Sequence, residues 1–249
     1  MTDTRSNSAL YGKGVFTTVA IKNGLPVLWQ KHWTRLCRNA AALDIDLSTV
    51  IEESVLASLI DAIEHTKTGR ARVTITDQTP AAFWTGASAG RETGVSVIVG
   101  RQRDLARPFR LTTSPHLVNS TSPLAGIKSC NYLEPLLSHR DAADRGYHEA
   151  VRVNERGHVT SACMANVFWV SGDALCTPAL TTGCLPGTTR EFVLEKVACN
   201  EVEVELAELE NADAIYLTSA GIGIVAVDEF DGRKLAARDH PILQLWPPG

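Results

Sequence analysis

Lysine is scarce in this chain: 7 residues, against 17 arginines. Methionine is down to 2 and aromatic residues make up only 6%. There is no excess of positive charge, since 24 Lys and Arg face 28 Asp and Glu, for a formal net charge of −4. A surface of that sign cannot neutralise a row of phosphates, which argues against broad electrostatic binding to nucleic acid. Long apolar runs are also missing. The stretch at 165–170 is among the longest, far short of the ~20 residues that span a bilayer as a helix. The opening MTDTRSNSAL is polar and lacks the apolar core of a secretory leader. The expectation is a soluble, cytoplasmic protein with no membrane partner. The 6 cysteines (Cys37, Cys130, Cys163, Cys176, Cys184 and Cys199) form no C-x-x-C and no Cys/His pair at zinc spacing. They are expected to be reduced thiols, and no metal is expected. Gly-x-Ser-x-Gly, His-Glu-x-x-His and Walker-type loops are absent.

What is present is an ordinary globular composition, 44% hydrophobic and 21% charged over 249 residues, enough for one large domain or two modest ones. Residues 15–21 and 25–29, joined by Asn23-Gly24, read as a hairpin. Apolar residues at helical spacing predict a helix over 32–43. A second is predicted over 46–66, opened by Ser48-Thr49 with Glu52-Glu53 in its first turn. Strands are expected at 72–76, 95–99 and 109–113. The polar, proline-bearing segment 114–125 marks a junction. Beyond it, a helix over 131–145 closes at Gly146. Short strands follow at 149–153, 159–160, 167–170 and 174–176, then a helix over 188–199 and strands at 202–204, 214–218 and 224–227. The pattern is α+β, with an N-terminal domain over 1–113, a linker over 114–125 and a strand-rich C-terminal domain over 126–249.

Of the lysines, Lys128 stands apart. It follows Leu124-Ala125-Gly126-Ile127 and precedes a helix. Burial favours the neutral amine, and a neutral lysine forms a Schiff base with a carbonyl. The competing reading is a surface lysine at a helix start. Leu185-Pro186-Gly187-Thr188-Thr189-Arg190 opens a helix. Its free N–H groups and two hydroxyls suit an anion, or else an ordinary cap. His32 and Arg35 lie one turn apart on their helix, and spacing alone gives a solvated face. Ser219-Ala220-Gly221-Ile222-Gly223 lacks the dinucleotide fingerprint and reads as a turn.

Together these segments resemble the class IV, or fold type IV, pyridoxal-phosphate enzymes. The matching stretches are Tyr11-Gly-Lys-Gly-Val-Phe-Thr-Thr18, His32-Trp-Thr-Arg-Leu36, Ile127-Lys-Ser-Cys-Asn-Tyr-Leu133, Val159-Thr-Ser-Ala-Cys-Met-Ala-Asn-Val-Phe-Trp169, Thr177-Pro178 and Leu185-Pro-Gly-Thr-Thr-Arg190. They run through nearly the whole chain. The resemblance implies a smaller N-terminal α/β domain and a larger C-terminal pseudo-barrel domain with helices. It implies bound pyridoxal 5'-phosphate, with Lys128 as the Schiff-base lysine and Arg35, Thr188 and Thr189 at the phosphate. Ser219 would lie nearby and Tyr132 would stand against the cofactor's phenolic oxygen. Tyr11 and Phe16 match substrate-pocket positions, and a homodimer acting on a small amino acid-like substrate is implied.

Three departures accompany the resemblance. Ser161 stands where the family usually has a glutamate that pairs with the ring nitrogen, and serine cannot hold that charge. The N-terminus is short, and Lys13 replaces an acid. Asp77-Gln78 stands where relatives often have Arg-Gly, so Arg72 or Arg70 is the expected carboxylate-binding replacement. Within the family the stretches at 16–18 and 165–169 favour aminodeoxychorismate lyase, which releases 4-aminobenzoate and pyruvate in folate biosynthesis. An aminotransferase acting on branched-chain or D-amino acids is the alternative. A non-catalytic cofactor- or phosphate-binding protein on the same fold is the second.

Overall fold

The computed structural model describes residues 5–81, 90–236 and 239–246. It divides the chain into two compact units, Met1–Arg103 with Ile127–Tyr132, and Asp104–Gly126 with Leu133–Gly249.

In the first unit the elements are α1 (Asn7–Tyr11), β1 (Gly14–Lys22), β2 (Leu25–Pro26), α2 (Trp29–Ala42), α3 (Glu52–Ala62), β3 (Thr68–Asp77) and β4 (Thr93–Gly100). The strands form one antiparallel sheet in the order β2-β1-β3-β4. Strand alternation sends Val15, Val19 and Ile21 of β1 and Ala71, Val73 and Ile75 of β3 to one buried face. Leu36 and Ala40 of α2 and Val55 and Leu59 of α3 join the same core. α3 is shorter than the predicted 46–66. The Asp46 carboxylate accepts from Ser48 N at 2.9 Å, a local turn that competes with helix, and the helix begins at Glu52. β2 is likewise only two residues long.

The second unit contains β5 (Arg110–Thr113), α4 (Leu133–Asp144), β6 (Glu149–Val153), β7 (Val159–Ala162), β8 (Asn166–Ser171), β9 (Ala174–Pro178), α5 (Thr188–Leu194), β10 (Asn200–Val202), α6 (Leu206–Glu210), β11 (Ala214–Ser219), β12 (Gly223–Ala226), β13 (Glu229–Phe230) and β14 (Arg233–Lys234). Two five-stranded sheets run β10-β9-β8-β11-β12 and β14-β13-β5-β6-β7. They share one core. Leu111, Val151 and Val159 of one meet Val167, Trp169, Ile215 and Leu217 of the other, all buried. The fold is α+β, and the second unit is its half-barrel. β5 pairs in parallel with β6 and β13. For that reason the strand at 110–113 and the segment 114–125 fall inside the second unit rather than at a junction, and the chain changes unit near 103, 126 and 132.

Candidate active site

Lys128 belongs to the first unit. Its carbonyl accepts from Phe16 N at 3.0 Å, and Cys130 N donates to Gly14 O at 2.8 Å. These bonds lay 128–130 against β1 like a short extra strand, with Val15 and Ser129 bridged. The half-buried Lys128 Nζ donates to Tyr132 Oη at 3.2 Å. It lies 4.4 Å from the Phe16 ring centre and 4.5 Å from that of Tyr132. Arg72 stacks on Phe16 as well, its guanidinium carbon 3.5 Å from the ring centre. Burial, then the charges of Arg35 and Arg72, hold the Lys128 amine well below its ordinary pKa. Lys128, Tyr132, Phe16 and Arg72 thus form one group. Tyr11 ends α1 and is 42% exposed, and beside it Asn131 Nδ2 donates to Gly12 O at 3.1 Å.

The solvated face expected for His32 and Arg35 is corrected: both are buried. Val15, Thr17 and Val19 alternate onto the core face of β1, and α2 presents His32 and Arg35 to the same side. Arg35 Nη2 donates to Thr17 Oγ1 at 2.7 Å, and Thr17 Oγ1 lies 2.6 Å from His32 Nδ1. Burial, then Arg35, then Lys128 depress the His32 pKa, so its ring is neutral. A hydroxyl that already accepts from a guanidinium still has its own proton for a neutral ring nitrogen. Thr17 is the member of this chain that sequence pattern gave no reason to single out.

Asp77 is structural. Lys13 Nζ lies 3.0 Å from its carboxylate, Asn7 donates to it at 3.1 Å and Thr79 N at 2.9 Å. These contacts fasten α1 to the end of β3.

In the second unit, Thr188 and Thr189 open α5 and are buried. Gly187 precedes them because nothing larger fits: a Cβ there would lie 2.0 Å from Asn166 Oδ1. Asn166 Nδ2 donates to Leu185 O at 2.8 Å, fixing the turn. The hydroxyls of Thr189 and Thr218 are buried with no hydrogen-bond partner among the described residues. Arg190 turns away, to Pro178 O at 2.9 Å and the Glu201 carboxylate at 2.5 Å. Ser219, half-buried, ends β11 directly after Thr218. Ser161, also half-buried, lies on β7 directly opposite Arg152 of β6. Arg152 was not singled out in the sequence, since a lone arginine inside a short strand carries no signal there.

Among the described residues no cluster of His, Cys, Asp and Glu could hold a metal ion, and no helix is long and apolar enough to cross a membrane. All 6 cysteines are free thiols.

The fold and this lysine-centred arrangement define a class of enzyme. Residues 14–230 match the family model for amino-transferase class IV, and the chain belongs to that family. Aminodeoxychorismate lyase of Bacillus subtilis (strain 168) is 26% identical over 228 residues, covering 87% of this chain and 77% of the relative. D-alanine aminotransferase of Bacillus licheniformis is 25% identical over 238 residues, 91% and 82% of the two chains. Among solved structures, 4-amino-4-deoxychorismate lyase from Pseudomonas aeruginosa superposes with a TM-score of 0.84 at 23% identity, covering 97% and 91%. The last comparison establishes the fold alone.

Class IV enzymes depend on pyridoxal phosphate, and the residues present fit it. Within the first unit the Lys128 amine is desolvated, and, taken by itself, the second unit has buried hydroxyls at Thr189 and Thr218 with no hydrogen-bond partner among the described residues. Leaving such hydroxyls unpaired costs about 1–3 kcal/mol each, and phosphoryl oxygens would relieve that cost.

Proposed function

We propose that this enzyme is an aminodeoxychorismate lyase, releasing 4-aminobenzoate and pyruvate. The observation that carries the reading is the sheet face beside Lys128. Phe16 pairs with Thr74, and Thr18 with Arg72, along β1 and β3. The same face continues through Thr76 and Gln78, and Gln78 Nε2 donates to Thr76 Oγ1 at 2.6 Å. A hydroxyl-lined face carrying a guanidinium suits a ring that bears a carboxylate and a carboxylated ether. An apolar branched side chain would need an apolar lining.

In this reading Lys128 holds the cofactor. Arg35, Thr188, Thr189 and Ser219 hold its phosphate, Tyr132 lies by its phenolic oxygen, and Ser161 faces its ring nitrogen. Arg72 grips a substrate carboxylate, with Phe16 and Tyr11 beside it. When bound, pyridoxal phosphate supplies a carbonyl for the substrate amine and a ring that withdraws electrons. Lys128 Nζ would move the proton of the substrate carbon that bears the amine, taking it as general base and returning one as general acid. Its lowered pKa suits both directions. The Phe16 and Tyr132 rings restrict water around that nitrogen.

A second reading, an aminotransferase acting on branched-chain or D-amino acids, is favoured by Tyr132, whose Oη touches Lys128 Nζ. The test is incubation with aminodeoxychorismate, following 4-aminobenzoate and pyruvate, beside a paired amino acid and keto acid. Pyruvate and 4-aminobenzoate without a keto acceptor support the lyase. Amino-group exchange alone overturns it in favour of the second reading. The homodimer belongs to this proposal too. Leu133, Leu136 and Leu137 of α4 are 66%, 51% and 50% exposed, an apolar face that a second copy would cover.

A further inference from the structure

Arg152 is buried inside a strand, only 5% exposed, and its Nε has no hydrogen-bond partner among the described residues. Its Nη2 donates to Glu134 Oε1 at 2.6 Å and to Leu117 O at 3.1 Å. The ion pair is lopsided, because the Glu134 side chain is 62% exposed and that of Arg152 only 6%. Water screens the carboxylate far more than the guanidinium, so the buried side of the pair keeps a net positive potential.

Ser161 is the direct cross-strand partner of Arg152. Such partners share a sheet face, with Cβ atoms about 4.5–5.5 Å apart. The buried carboxylate of β6, Glu149, alternates to the face opposite Arg152 and Ser161. The Glu149 Oε1 accepts from Ala150 N at 3.3 Å and Met164 N at 3.2 Å. The Cys163 thiol is pushed well above its usual range by burial and then by Glu149, so it stays neutral. Ser161 and Arg152 Nε therefore present hydrogen-bond donors and a fixed positive charge on their shared face of the sheet.

We propose that Arg152, acting with Ser161, keeps the ring nitrogen of the bound cofactor unprotonated, so that it accepts a hydrogen bond instead of donating one. The inference rests on the reading above in which Ser161 faces that nitrogen. A pyridinium N–H needs an anion close by, whereas a neutral ring nitrogen needs a donor. This strand pair offers the second and repels the first. Arg152 is a positioning residue whose effect is electrostatic. The enzyme would thus run on a weaker electron sink than a pyridinium gives.

The experiment is nitrogen NMR of ring-labelled pyridoxal phosphate bound to the parent protein and to Arg152→Lys, Arg152→Met and Ser161→Glu. Borohydride reduction and peptide mapping identify the lysine that carries the cofactor. The parent and Arg152→Lys should show an unprotonated ring nitrogen throughout the neutral range. Ser161→Glu, which leaves Arg152 in place and guards against misfolding of Arg152→Met, should raise the titration midpoint by roughly 1–3 pH units, the effect of an adjacent opposite charge. Arg152→Met, where it folds, should raise it in the same direction. A protonated nitrogen in the parent, or a midpoint unmoved in Ser161→Glu and in folded Arg152→Met, overturns the inference while cofactor on Lys128 leaves the functional reading standing. Cofactor on no lysine, or on another one, overturns both.

Discussion

Lys128 and His32 lose basicity for the same reason: each is desolvated beside the Arg35 guanidinium. For His32 this has a measurable consequence in the cofactor-free protein. The folded state refuses a proton that the unfolded state accepts below about pH 6.5. Stability from this residue is therefore complete above that pH and falls as the pH drops, at up to about 1.4 kcal/mol per pH unit for one proton. Urea unfolding of His32→Gln should show a flatter acid limb than the parent, and an unchanged slope would mean that the ring does not stay neutral. Arg35 and Arg190 are separated by a different measurement. Arg190 is committed to Pro178 and Glu201, so Arg190→Ala should lower stability by about 2 kcal/mol, the scale of a lost charged hydrogen bond. It should leave cofactor affinity close to the parent's. Arg35→Ala should weaken cofactor binding at least tenfold in a fluorescence titration. Equal affinities in the two variants would place the phosphate elsewhere. At this scale the sequence pointed to Lys128 through its apolar approach and its scarcity. Spacing alone gives His32 and Arg35 a solvated face, because their partner Thr17 lies on β1, outside the helix that carries them. Arg152 was invisible because its meaning comes from Ser161 across the ladder.

Elements were legible where local chemistry and packing agree. The alternation of β1 and the apolar stripe of α2 gave those elements nearly at their observed length, whereas β3 runs over Thr68–Asp77, well beyond the predicted 72–76. α3 lost its first turn to the Asp46 side chain, and α5 stops at Leu194 where the chain turns toward β10, whose pairing with β9 no local pattern announces. The turn before α5 depends on one close approach. Gly187→Ala would drive a methyl to 2.0 Å from Asn166 Oδ1, and should cost about 1–3 kcal/mol as an overpacked site. Asn166→Ala in the same chain should recover part of that loss despite the missing bond to Leu185 O. Thermal denaturation of the single and double variants measures the coupling, and strict additivity would show that the two residues do not meet.

For the molecule as a whole, a ligand that binds only the folded state stabilises it by about 2.7 kcal/mol at a hundredfold excess over its Kd. Pyridoxal phosphate should therefore raise the melting temperature of the parent, with a much smaller rise in Lys128→Ala. Sedimentation should give twice the 26.9 kDa chain mass, and Leu136→Arg with Leu137→Arg should shift that mass toward the single chain. A parent that sediments as one chain at all concentrations would remove the dimer from the proposal.

Lys128 reaches its sheet by an indirect route. The first unit is built from Met1–Arg103 and then borrows Ile127–Tyr132, after which the chain leaves it again. A gene cut at Arg103 would therefore encode a sheet and two long helices without the reactive amine, and the remaining fragment would carry the lysine away from the strand that pairs with it. The two pieces could regain chemistry only as a complementing pair, with Phe16 and Cys130 re-forming their bonds across a broken chain. Neither half could have served as a free-standing ancestor with this lysine in this place, and any shuffling of the two units must move the lysine segment as a separate insert.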